Sequence, residues 1–213
     1  PSTWEWCRLG EICNNITKGS SPKWQGVKYI DSPENGMLFI TSKNVDSFKI
    51  DLSNVTYVEE RFNEIEPRSI LKKGDLLTNI VGASIGRTAL YDLDDVANIN
   101  QAVCLLRIEH TLIDKRFLLY TMNSDFVINL MFASQFAPGR ANLSMGNLAN
   151  FPIPLPPLSE QCRIVSKLDQ LMRLCDDLQQ SIEQSEAQTD LLLQTALRDA
   201  LKAKDSIEGC VVV

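Results

Sequence analysis

The sequence contains one histidine, His110, no pair of cysteines in CxxC spacing, and no run of about eighteen consecutive apolar residues. Each absence removes a class of function. A single imidazole beside Glu109, with no nucleophile motif to accompany it, leaves almost nothing on which to build a His-based zinc site or a Ser-His-Asp triad. Without the apolar run there is no transmembrane helix. The start, PSTWEW, has neither the basic region nor the hydrophobic region of a secretory signal, so a soluble, cytoplasmic chain is expected. The cysteines at 7, 13, 104, 162, 175 and 210 fall partly on apolar positions of predicted strands and helix. They read as reduced, buried thiols, and no metal site is expected.

Excess positive charge is also missing. The formal net charge of −6 argues against a protein that coats nucleic acid, because non-specific duplex affinity comes mainly from cations neutralising phosphates. The distribution qualifies that reading. Residues 1–157 carry 15 basic and 17 acidic side chains, and residues 158–213 carry 6 and 10. The first part is nearly neutral, which leaves room for a local basic face and for weak binding by this chain alone.

What is present suffices for one core and an appendage: 213 residues, 44% of them apolar. GMLFITSKNV (36–45) and FKIDLSNVTYV (48–58) read as strands with a polar corner between them. Leu76 to Val81 and Arg87 to Tyr91 read as two more, joined by a turn from Gly82 to Gly86. No GK[ST] follows those glycines, so a phosphate-cradling loop is not expected. Asp75, after Gly74, reads as capping or bending a turn rather than holding a metal. ANINQAVCLLRIE (97–109) reads as a buried strand entered through polar residues. The apolar period then changes from two to 3.6, and residues 113–136 read as two short helices divided at Ser124 or Asp125. A mixed, strand-rich α+β domain over 1–157 is expected.

FPIPLPPLSEQCRIVSKLD (151–169) closes that domain. Prolines 152, 154, 156 and 157 predict an extended, stiff spacer that can neither enter a helix nor lie in the middle of a sheet. Ser159 is the predicted N-cap of the next helix, with Glu160 near the positive end of its dipole. From there to about Lys204 the chain has no proline or glycine, which allows roughly 65 Å of helix. Ile164, Leu168, Leu171, Cys175, Leu178, Ile182, Ser185, Thr189, Leu192 and Ala196 recur at alternating steps of four and three. This is a heptad seam, weakest at Ser185 and Thr189, and it demands a partner helix from another copy or another protein. The competing arrangement, a helix folded back on its own domain, is disfavoured because the seam is longer than such a domain can cover. The organisation read is a domain over 1–157, a coiled-coil-forming helix over 158–205, and a tail over 206–213 with no assigned role.

Several separated stretches together resemble the specificity (S) subunit of type I restriction-modification systems. They are WEWCRLGEICNNITKG (4–19), LFITSKNV (38–45), LKKGDLLTNIVGASIGRTAL (71–90), NINQAVCLLRI (98–108) and NLSMGNLANFPIPLPPLSEQCRIVSKLDQL (142–171). The last, with prolines directly before a long helix, is the most specific. The resemblance implies that 1–157 is a target recognition domain reading one half of a split DNA site, and that the helix belongs to the family's conserved region. Family members normally carry two such domains and two such helices, paired antiparallel, whereas this chain has one of each. It is therefore read as a half-length S subunit or as one half of a longer one, and Pro1 in place of an initiating Met favours a trimmed start. Two copies paired through their helices would read an interrupted palindrome.

The resemblance also implies partners: double-stranded DNA, methyltransferase (M) subunits that bind S-adenosylmethionine and methylate adenine, and a motor-nuclease (R) subunit. This chain itself would hold no cofactor and catalyse nothing. The Asn-Pro-Pro-aromatic loop of an adenine methyltransferase is missing, since Leu155 precedes Pro156 and Pro157. By polarity and loop position, the expected DNA-facing residues are Lys18, Ser20, Ser21 and Lys23, then Thr41, Ser42, Lys43 and Asn44. Thr78, Asn79, Ser84 and Arg87 around the glycine turn, Asn100 and Gln101, and finally Arg140, Asn142 and Ser144 complete the set. Arg87 and Arg140 suit forked contacts to guanine, and Gln101 or Asn44 suits adenine. Ile164, Leu168, Leu171, Cys175, Leu178, Ile182 and Leu192 are the expected helix-partner interface. The rival class is a coiled-coil scaffold that does not bind DNA.

Overall fold

The computed structural model describes residues 1–134 and 142–208, with side chains described up to residue 198. The chain divides into two compact units, Pro1–Val165 and Ser166–Val213.

The first unit opens with β1 (Glu5–Arg8), α1 (Leu9–Ile12) and β2 (Asn15–Lys18), followed by β3 (Tyr29–Ile30), β4 (Met37–Ile40), β5 (Thr56–Val58) and α2 (Phe62–Ile65). Next come β6 (Leu76–Asn79), β7 (Thr88–Leu90), β8 (Ala97–Ile99) and β9 (Val103–Arg107). Helices α3 (Lys115–Met122), α4 (Asp125–Ala133) and α5 (Met145–Ala149) precede β10 (Pro152–Leu155) and the long α6 (Leu158–Glu208). The strands form an antiparallel sheet ordered β2-β9-β6-β7, a mixed sheet ordered β3-β5-β4-β8 whose β4-β8 pair is parallel, and a two-stranded β1-β10 ribbon. The mixed α+β class read from the sequence is the architecture found.

Strands β6 and β9 organise the core through their period of two. Leu76, Cys104 and Leu106 join the cluster that holds Leu118, Met122, Val127 and Met131 of α3 and α4. Their neighbours Leu77, Val103 and Leu105 point the other way, into a cluster with Ile40, Ala89 and Ile99 that joins the two large sheets. Strands buried on both faces read as continuous apolar runs, as VCLL (103–106) does here. A third cluster, with Phe39 and Phe62 edge to face at 5.4 Å, closes the outer side of the mixed sheet.

Local chemistry divides the helices where the sequence suggests. The Asp114 carboxylate accepts from the N–H groups of Arg116 and Phe117 at 2.8 and 2.9 Å and starts α3. The Ser124 hydroxyl accepts from Val127 N–H and starts α4.

Four expectations change. Residues 36–58 hold only two short strands, because 41–51 folds into a corner built on Asn44. The run 97–109 is two strands, broken where Asn100 Oδ1 accepts from Ala102 N–H at 3.1 Å. The proline run is no free spacer, since β10 pairs antiparallel with β1 from Glu5↔Leu155 to Arg8↔Pro152. Finally, α6 begins at Leu158, where the Pro157 carbonyl accepts from Glu160 and Gln161 N–H; Ser159 lies inside the first turn and is not the cap. Buried Gln161 anchors that turn, its Nε2 donating to Pro156 and Leu112 carbonyls and its Oε1 accepting from Asp114 N–H at 2.8 Å.

The second unit is the continuation of α6, which runs past the expected end at 205 to Glu208. Along it Leu171, Leu178, Ile182 and Leu192 are 46%, 56%, 54% and 70% exposed, and Cys175 is exposed too. Ile164, in the first unit, and Leu168 are half-buried. The expectation of buried thiols therefore fails at Cys162 and Cys175 and holds at Cys104, with Cys7 and Cys13 half-buried. Cys210 lies outside the described residues. No helix among the described residues is long and apolar enough to cross a membrane.

Candidate nucleic-acid interface

Five polar segments meet at one end of the two large sheets, because β2, β4, β6 and β8 all finish there and β7 and β9 start there. Backbone bonds tie the segments in sequence. Gly19 N–H donates to Val103 O at 3.3 Å, Asn100 N–H to Ile40 O at 3.0 Å, and Ile80 N–H to Ala102 O at 2.9 Å. Leu143 N–H donates to Ile80 O at 2.9 Å, beside the bridge between Val81 and Asn142. Gly19 makes this closeness possible: a Cβ there would lie 1.8 Å from the Ile99 carbonyl oxygen. The corner after β4 is also pinned by Phe48, at φ 74°, whose N–H donates to Thr88 O and whose ring packs on Tyr120 at 5.4 Å.

The expected DNA-facing residues divide in two. Lys18, Lys43 and Arg87 are exposed at this end, Ser42, Ser84, Asn100 and Gln101 are half-exposed, and Asn142 and Ser144 are exposed. Ser144 also caps α5, accepting from Asn147 N–H at 3.0 Å. Arg87 forms a surface ion pair with Asp46 at 3.4 Å. Ser20 accepts from Gln25, whose amide also reaches Glu66, so Ser21 and Lys23 lie further along a loop that is drawn towards Glu66. Arg140 lies outside the described residues.

Asn44, Thr78 and Asn79 have a structural place instead of the surface place expected for them, being 2%, 0% and 0% exposed. Asn44 Oδ1 accepts from the Thr41 N–H and hydroxyl, and its Nδ2 donates to Asp51 O and Asn54 O. Thr78 and Thr88 share a hydroxyl bond at 3.0 Å. Asn79 bridges two of the loops. Thr41 is half-exposed, with its hydroxyl turned into the Asn44 turn.

Sequence reasoning passed over Trp24, which stands 77% exposed next to Lys23 in the turn Pro22–Gln25. Its signal was a large aromatic inside the polar string SPKWQG. At the opposite end, where β4 and β8 begin, Glu60, Glu64 and Asp95 rim a groove of about 760 Å³ floored by Met37, Leu38 and Tyr57. Asp75, weighed above as a turn former, does close the turn after Lys72, its Oδ2 accepting from Lys72 N–H, and it is also the buried partner of Arg107, a bond that lifts the arginine pKa above its ordinary value. Among the described residues no group of three or more His, Cys, Asp or Glu stands together to hold a metal.

Known proteins are similar to this chain. The specificity subunit of the type I restriction enzyme EcoBI of Escherichia coli is 28% identical over 194 residues, covering 91% of this chain and 41% of its own length. That of MjaVIII from Methanocaldococcus jannaschii is 26% identical over 209 residues, covering 96% and 48%. The crystal structure of the HsdS subunit from Thermoanaerobacter tengcongensis superposes with a TM-score of 0.66 at 25% identity, covering 92% of this chain and 49% of that one. A chain from a study of complex assembly and conformational transition in the type I R-M system gives 0.69 at 25% identity, with 90% and 44% covered. The chain spans a little under half the length of these relatives. The family model described as "Type I restriction modification DNA specificity domain" matches residues 1–185. Because that match runs from the first residue through the loop-bearing end and into the long helix, the chain belongs to the family of type I restriction modification DNA specificity domains.

Proposed function

We propose that this chain is a DNA sequence-recognition subunit of a type I restriction-modification enzyme, reading one half of a bipartite site with its loop-bearing end. The observation that carries the reading is the convergence of five polar segments, with exposed Lys18, Lys43 and Arg87, at one end of the sheets. Lys18, Lys23 and Lys43 hold phosphates. Ser20, Ser21, Ser42, Ser84, Asn100, Asn142 and Ser144 offer donors and acceptors to base edges. Gln101 suits adenine, and Arg87 suits guanine once it leaves Asp46; Arg140 is a further forked donor. The buried Asn44, Thr78 and Asn79 shape the loops from beneath.

The exposed apolar stripe of α6 pairs with a second helix, from another copy or another specificity half, and the helix docks methyltransferase subunits. Those partners supply S-adenosylmethionine and methyl transfer, a motor-nuclease subunit supplies cleavage, and this chain is non-catalytic and works in the cytoplasm. Pairing of two copies gives a two-fold axis and hence an interrupted palindrome as the site. The test is a mobility-shift titration of the full chain with its methyltransferase subunit, on DNA carrying the motif found methylated in the host. Salt-sensitive, motif-dependent binding is expected. Binding that is absent, or equal on scrambled DNA, overturns the reading and favours a scaffold.

A further inference from the structure

Asn79 has no exposed surface, so it cannot touch DNA, yet its side chain joins two segments of the proposed reading end. Its Nδ2 lies 2.9 Å from Ser42 O and 3.2 Å from Val45 O, both on the corner after β4. The same nitrogen lies 3.2 Å from Ser84 Oγ on the turn after β6. Its main chain holds that turn as well, with Asn79 N–H donating to Arg87 O at 2.9 Å and Asn79 O accepting from Gly86 N–H at 3.0 Å. Oδ1 is buried with no donor among the described residues, an arrangement that costs stability. Phe48 N–H joins the far side of the corner to Thr88 O, beyond the turn, and the ion pair of Arg87 with Asp46 is about half exposed on both sides and is screened by salt. The buried amide is the durable link.

We infer that Asn79 is a positioning residue that locks the 41–45 corner and the 82–87 turn into one joint geometry, and that sequence discrimination depends on this lock more than affinity does. The inference rests on the DNA-reading assignment above. Reading a base edge requires donors held to within about half an ångström, whereas lysines on flexible stems still find phosphates when a loop drifts. Loss of the amide therefore separates the two quantities. The residue type follows from the same geometry: aspartate of equal shape would aim a carboxylate at two carbonyl oxygens, and alanine would leave both carbonyls without a donor.

The test uses the full chain with its methyltransferase subunit, a DNA duplex carrying the host's methylated motif, and a scrambled duplex. Asn79→Ala and Asn79→Asp are expected to lower the cognate-to-scrambled affinity ratio by about tenfold or more, with scrambled affinity and its salt slope unchanged. Amide exchange in 41–45 and 82–87 should rise together. Leu118→Ala, a core truncation in α3, is expected to lower Tm comparably and leave the ratio and the paired exchange unchanged. Should Asn79→Ala not fold, Asn79→Ser, which keeps a donor, carries the same measurements. An unchanged ratio in the Asn79 variants, or an equal fall in Leu118→Ala at matched Tm, overturns the inference. If the wild type fails to discriminate, the DNA-reading assignment fails instead, and the exchange data still decide whether the two loops are coupled through Asn79.

Discussion

Arg107 grips Asp75 with two parallel bonds, Nε to Oδ1 at 2.9 Å and Nη2 to Oδ2 at 2.7 Å. Nη2 also donates to Ile70 O at 2.8 Å, and Asp75 Oδ2 accepts from Lys72 N–H at 2.7 Å. With the Asp75 side chain 3% exposed, removing the guanidinium leaves a buried charge without its partner. Arg107→Leu is expected to cost about 3–5 kcal/mol in denaturant unfolding, and Arg107→Lys, which cannot fork, about 1–3 kcal/mol.

Gln161 makes a comparable lock at the first turn of α6. Gln161→Ala leaves Asp114 N–H and two carbonyls to find other partners and should cost about 1–3 kcal/mol. Gln161→Glu cannot donate to those carbonyls and should cost more at neutral pH. Urea titrations that give equal midpoints for wild type and both variants would refute the locking role.

Gly19→Ala drives a methyl group against the backbone oxygens of Ile99 and Asn100, at 1.8 and 2.7 Å, and backbone cannot yield as a side chain does. A loss of about 3 kcal/mol or more is expected. Amide exchange should report it first at residue 19, whose N–H bond to Val103 O must break.

The thiols separate by position. Burial pushes Cys13 and Cys104 up to about 12, whereas Cys162 and Cys175 stand exposed on α6. The folded chain thus holds the two inner protons more tightly than the unfolded chain does. Their contribution is complete below the ordinary thiol value and is lost as pH rises from there towards 12, at ~1.4 kcal/mol per pH unit for each thiol. Maleimide at neutral pH should label Cys162 and Cys175 promptly, and Cys13 and Cys104 only after unfolding. Labelling of Cys175 should slow as helices pair.

Lys18→Ala and Lys43→Ala should weaken cognate and scrambled DNA alike and lower the salt slope by about one each. Arg87→Ala should instead act on the ratio between them. A lysine variant that alters the ratio alone would contradict the division into phosphate and base contacts.

The apolar, β-rich runs that hold Leu76 and Leu77, and Cys104 and Leu105, were legible as strands, and the hydroxyl at Ser124 as a helix start, because both are local patterns. The long helix was legible from the missing proline and glycine. Asn79 was not: a polar residue beside a glycine turn looks like a surface donor, and its acceptor, Ser42 O, lies 37 residues away. Asn44 misled for a related reason, since it bonds its own corner so completely that its polarity faces inward. Gly19 carries no sign in sequence of the Ile99 carbonyl it must clear, and Trp24 looks like core until the turn around it is seen.

Strand β10 has a consequence for how the molecule behaves in crowded solution. Opposite Arg8 and Trp6 stand Pro152 and Pro154, so the positions that bond to β1 fall to Ile153 and Leu155, and the two rings lie where outward-facing N–H groups would otherwise be. A stray extended segment approaching that rim meets methylenes where it needs donors. The β10 margin of the ribbon is therefore closed to a further strand without the help of another chain.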